Sequence, residues 1–178
     1  MYLLNHIPVD QAQGELAHAY SIFPNGVPVP EPLIMMSASP ELAQLQSKII
    51  SYFMTQSRME SQTMAALRYI LATRNNYAFC MRFNAHLLQF AAGFTPSELE
   101  SMAKDPATAP LEPEQKQLLL FVLKVVDAPQ DVTKNDVDEL REMGFSDTDI
   151  FDAAYHAASF IVPTTLFKAF VKEDEKEE

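Results

Sequence analysis

Cysteine, glycine and basic side chains are all scarce in this chain, and each scarcity excludes something. Cys80 is the only cysteine among 178 residues, so no disulfide forms within the chain and stability must come from packing. A single thiol also excludes cysteine-rich zinc and iron–sulfur centres built by one chain. Only Gly14, Gly26, Gly93 and Gly144 are available as glycines. They are too scattered to make a GxGxxG or Walker loop, which removes the familiar glycine-loop nucleotide enzymes. The histidines His6, His18, His86 and His156 stand far apart with no HExxH-like spacing, so neither a metal nor a cofactor is expected. Thirteen Lys plus Arg against twenty-four Asp plus Glu leave a formal charge of −11. That balance repels phosphate backbones and anionic lipid, so no nucleic acid and no membrane is expected as a partner. The longest apolar run, 118–123, falls far short of the ~20 residues that cross a bilayer. The opening MYLLNHIPVD has neither the basic start nor the apolar block of a signal peptide, and a cytoplasmic protein is the expectation.

Proline, by contrast, is plentiful and unevenly placed. Pro24, Pro28, Pro30, Pro32 and Pro40 crowd one stretch, which reads as an extended arm because each proline fixes its φ and removes a donor. Helix start signals recur beyond it. Ser39-Pro40-Glu41 sets a cap before a first-turn proline, and Thr95-Pro96-Ser97-Glu98 spells a capping box. Thr133 and Ser146 each precede acidic first turns, and Gly144 suits a helix stop. The pattern predicts helices near 10–22, 40–56, 60–75, 76–92, 96–103, 113–127, 134–142 and 147–171, the last kinked at Pro163. No alternating strand pattern competes. The expectation is an all-α single domain over 1–178, about eight helices, with an N-terminal helix and wrapping arm (1–39) and an acidic flexible tail (172–178).

The richest chemistry lies around the lone cysteine. At ~100° per helical residue, Tyr77, Cys80, Asn84, Leu87 and Ala91 share one face, beside a stripe of Phe79, Phe83 and Phe90. Cys80 falls in the first helical turn, where unsatisfied amides and the dipole can lower a thiol pKa. The simpler assignment of a free cysteine is a small core hydrophobe.

At these residues the chain resembles the alkylhydroperoxidase D and carboxymuconolactone decarboxylase superfamily, in its peroxidase-related branch. The resemblance runs from Gly14 to Phe170. It rests on the proline-rich approach to SPELAQLQ, on AALRYI, on FCMRFNAHLLQFAAGFTPSELESM, on DPATAPLEPEQKQLLLFVLKVV and on DVTKNDVDELREMGFSDTDIFDAAYHAASF. It implies an all-helical fold that assembles as homodimers, trimers or hexamers, and thiol-dependent peroxidase chemistry of an antioxidant oxidoreductase.

Peroxidase-active relatives carry a C-x-x-C pair at the start of this helix, a histidine four residues after the second cysteine, and an upstream glutamate. One thiolate attacks, the other resolves, and the acid–base groups move protons. Here the second cysteine matches Cys80, while Tyr77 stands at the first, Asn84 at the histidine and Ala65 near the acid. Recycling of an oxidised Cys80 then needs an external thiol. His86 lies two residues past the family position, on the flank beside Arg82, and its simpler reading is a partly exposed helix histidine. Asp152 and His156 can pair at i,i+4, with a surface pair as the simpler reading. Glu60 and Arg68 flank the preceding helix and can approach Cys80; a first-turn acid and a solvent or interface charge are their plainer roles.

Three functions remain: a weak one-cysteine peroxidase acting through Cys80 with Tyr77, Asn84 and His86 around it; a non-redox enzyme like the lactone decarboxylases; and a catalytically silent oligomeric binding protein. One fold hosts all three.

Overall fold

Capping chemistry written in the sequence sets most element boundaries in the computed structural model, which describes residues 1–23 and 28–172. The helices are α1 Gly14–Tyr20, α2 Glu31–Met36, α3 Pro40–Thr55, α4 Ser61–Arg74, α5 Ala78–Ala92, α6 Pro96–Lys104, α7 Pro113–Asp127, α8 Lys134–Glu142, α9 Asp147–Ser159 and α10 Ile161–Phe170. No strand occurs among the described residues, only an isolated bridge between Tyr2 and Val171. The all-α expectation holds.

Thr95, Thr133 and Ser146 each close a full capping box, with the third helical residue (Glu98, Asp136 or Asp149) reaching back to the cap amide. Gly144 at φ +90 ends α8. Its amide donates to Arg141 and the Phe145 amide to Leu140, the paired bonds that a left-handed residue permits. Ser39 takes the cap position of α3 without a side-chain hydrogen bond, and Pro40 fills the first turn.

Two expectations need correction. The proline-rich stretch is not extended throughout: α2 forms inside it, with Pro32 in its first turn. A first-turn proline sacrifices an amide that has no helical partner anyway. The long C-terminal helix is broken rather than kinked, because α9 stops at Ser159. Ser159 lies four residues before Pro163, where the proline ring would meet its carbonyl. The tail at 173–178 and Pro24 lie outside the described residues.

The chain divides into two compact units. The first comprises 1–56 and 162–178. Leu16, Tyr20, Leu33 and Ala43 form its core, with Ile7, Phe23, Met36 and Ile50 packed around them. The Tyr20 hydroxyl donates to the Ile7 carbonyl at 3.0 Å, and the Ile7 amide donates to Ser37 Oγ at 2.7 Å. The first residues meet the end of α10, where the Leu3 amide donates to the Phe170 carbonyl and the Lys172 amide to the Met1 carbonyl.

The second unit, 57–161, centres on α7, whose Leu118, Leu119 and Val122 are wholly buried. Helix α9 lies along α7, and α4 pairs with α5 as an antiparallel hairpin. Asn76 turns that hairpin at φ +49, a conformation asparagine tolerates better than branched residues. The Asn76 amide donates to Thr73 and the Tyr77 amide to Ala72. This cap delays α5 to Ala78 instead of 76, folds Tyr77 inward and leaves Cys80 in the first turn.

Candidate functional site around Cys80

All the groups of the site come from the second unit: Arg68 from α4, Tyr77 from the turn, Cys80 and Asn84 from α5, and His156 from α9. Asn84 holds the centre. Its Nδ2 donates to the Cys80 carbonyl at 2.8 Å, the reach of one helical turn, while its Oδ1 accepts from Arg68 Nε at 2.9 Å. Arg68 Nη1 lies 3.3 Å from His156 Nε2. Because a guanidinium only donates, Nε2 must be the accepting nitrogen and the imidazole proton sits on Nδ1. Asn84 is 1% exposed, so the amide is a fixed bridge between helices rather than a surface group.

The electrostatics follow from shared desolvation. Burial lowers Arg68 to about 10, countered in part by the neighbouring Cys80 sulfur. Burial, and after it the Arg68 charge, depresses His156 to about 3, so it is neutral across the physiological range. Burial also pushes the Cys80 thiol up to about 11, while the neighbouring Tyr77 hydroxyl and the Arg68 charge pull in the opposite direction. The thiol is thus opposed by its surroundings and assisted by two named neighbours, with burial winning.

Of the residues singled out in the sequence, Cys80, Tyr77 and Asn84 are brought together. Cys80 is 8% exposed and Tyr77 is 3% exposed. His86 points elsewhere: it is exposed, and its ring meets Phe90 at 4.2 Å between centroids. Phe79 and Phe83 do form a stacked aromatic stripe, 6.1 Å apart. Glu60 is the exposed cap residue of α4, its carboxylate accepting from Gln62, and Ala65 is buried.

Arg68 and His156 are the residues that plain roles undervalued. Arg68 is no free surface charge, and His156 is not a surface histidine; they meet across 88 positions of sequence. A signal for Arg68 was available: it is a lone charge within Ala65-Ala66-Leu67 and Ile70-Leu71-Ala72, all of them buried. A charge in so apolar a helix has to find polar partners inside the fold. Nothing local pointed from there to His156.

No helix among the described residues is long and apolar enough to cross a membrane. No protein-family model matches the sequence, and no curated protein does. Solved structures do match. One is the alkylhydroperoxidase AhpD core of an uncharacterized peroxidase-related protein from Ralstonia eutropha JMP134, with a TM-score of 0.79 at 17% identity, covering 99% of this chain and 93% of that one. Another is an uncharacterized peroxidase-related protein from Silicibacter sp. TM1040, with a TM-score of 0.76 at 20% identity and coverages of 99% and 93%. Over essentially its whole length, this chain has the alkylhydroperoxidase D core fold.

Proposed function

We propose that the protein is a slow, one-cysteine thiol-dependent peroxidase acting through Cys80. The observation that supports this reading most is that Tyr77 and Arg68 both act on the Cys80 sulfur in the direction of the thiolate. In the first half-reaction the thiolate attacks one oxygen of a hydroperoxide. An S–O bond forms, the O–O bond breaks, and the leaving alkoxide takes a proton from solvent. The sulfur is oxidised by two electrons to a sulfenic acid as the peroxide is reduced to an alcohol. An external thiol then condenses with the sulfenic acid, releasing water and leaving a mixed disulfide. A second equivalent of thiol frees Cys80 and departs as the oxidised reductant.

The burial of Cys80 favours a second reading, a silent binding protein or a non-redox enzyme on the same fold, since a neutral thiol is a poor nucleophile. Peroxide consumption with excess dithiol separates the two. Cys80→Ser should abolish the consumption, whereas equal rates in wild type and Cys80→Ser would leave the non-redox reading.

Tyr77→Cys supplies the missing partner three residues before Cys80. After mild peroxide the variant should lose two hydrogens as an internal disulfide and turn over faster than wild type. Wild type should instead gain an oxygen or an external thiol by intact mass. Removing a buried aromatic ring costs about 3–5 kcal/mol, so the variant should also melt earlier. Wild-type monomer losing two hydrogens would contradict the single-thiol mechanism.

We also propose a homo-oligomer, a dimer or larger. Leu42 and Leu45, each 55% exposed on α3, with Phe90 at 78% and Phe151 at 71%, support it, because exposed apolar surface favours association. Light scattering should give at least twice the 20.0 kDa chain mass, and a monomer mass across micromolar concentrations would exclude it.

A further inference from the structure

We infer that Arg68, together with the groups fixed around it, anchors a binding site for a small-molecule carboxylate. Arg68 carries a charge that meets no carboxylate among the described residues. A guanidinium carries five N–H donors, and Arg68 commits one to Asn84 Oδ1 and one to His156 Nε2. No acceptor for the others occurs among the described residues. Both partners are neutral, and so is the nearby Cys80 thiol at pH 7.

Elsewhere in the chain the arginines Arg58, Arg74 and Arg141 each meet an aspartate carboxylate. Arg68 meets none among the described residues, although it is the arginine whose charge is most strongly desolvated. A cation withdrawn from water and given only neutral partners is costly unless an anion completes it. The residue is also not fully sealed, for Arg68 retains intermediate exposure.

The occupant's class follows from the geometry of the anchor. A planar fork of N–H donors matches two coplanar oxygens, which a carboxylate presents. The cluster offers one positive charge, because His156 donates none, so a monoanion balances it and a dianion leaves excess charge in a desolvated site. The immobile Asn84 and His156 fix the guanidinium plane before any ligand arrives, which lowers the ordering cost of binding. Binding at Arg68 requires no reaction at Cys80 and stands independently of the peroxidase reading.

The test is calorimetric titration of the full chain with sodium benzoate at pH 7, with sodium chloride matching the ionic strength. Wild type should bind one benzoate per chain saturably. Arg68→Gln should bind at least tenfold more weakly, and Arg82→Gln, altering an exposed arginine of α5, should bind like wild type. Absence of saturable heat in wild type, or equal affinity in Arg68→Gln, overturns the proposal. Inorganic phosphate should bind more weakly than benzoate, and tighter phosphate binding overturns the carboxylate assignment. If Arg68→Gln fails to fold, the wild-type arginine side-chain NMR spectrum decides. The Arg68 Nε–H resonance should shift with the same saturation as the heat, and an unmoved resonance rejects the site.

Discussion

Raising the pH from 7 to 9 should accelerate Cys80-dependent peroxide consumption about a hundredfold, tenfold per unit and without levelling off, since only the thiolate attacks. The sign follows from the Cys80 thiol, which burial pushes up to about 11. At every pH well below that value the thiolate is a small fraction that grows tenfold per unit. An ordinary thiol near 8.5 would gain only about twenty-five-fold over the same range and would already be flattening at pH 9. The shape of the profile, more than its height, is the diagnostic. The rate should be measured with an alkyl hydroperoxide and excess dithiol, subtracting Cys80→Ser at each pH. Alkylation of Cys80 by iodoacetamide should follow the same slope, because it reads the same thiolate without needing peroxide. A profile that bends below pH 9 would mean that Arg68 and Tyr77 outweigh desolvation, and peroxide consumption would then be faster at neutral pH than proposed.

The contest between burial and its two opponents also explains how much of the site could be read in advance. Tyr77, Cys80 and Asn84 lie within eight positions on one helical face, so periodicity alone places them together. Capping boxes at Thr95, Thr133 and Ser146 are likewise local, each complete within four residues. The starts of α6, α8 and α9 were legible for that reason. Helix α2 was hidden because prolines signal extended chain as readily as a helix's first turn, and only packing of Leu33 and Met35 into the first unit decides between them. His86 drew attention by its nearness to Cys80 in sequence, yet the α5 backbone turns it outward to Phe90. The partner of Arg68, His156, arrives from α9 through tertiary packing, and no periodicity within α5 could announce it.

Acid should reveal His156 through stability even if Cys80 proves inert. In the folded chain its pKa is depressed to about 3 by burial and by Arg68, whereas in the unfolded chain it is near 6.5. Below pH 6.5 the unfolded state therefore takes up a proton that the folded state refuses. The stability this depression permits is fully present above that pH and is lost progressively as pH falls toward the folded value. The slope approaches about 1.4 kcal/mol per pH unit, or about 2–3 kcal/mol between pH 6.5 and 4.5. The aspartates with lowered pKa values do not account for this window. Asp136, held at about 2 by Lys124 and by the Thr133 cap, contributes above its unfolded value and loses that contribution only as pH falls below about 4. Urea midpoints of wild type should fall steadily from pH 6.5 to 4.5. In His156→Gln, whose amide oxygen can still accept from Arg68, they should be nearly level over that interval whatever their absolute height. A level wild-type curve would mean that the imidazole protonates inside the folded protein. The cluster would then admit a second positive charge beside Arg68, which the geometry of a guanidinium donating to Nε2 forbids.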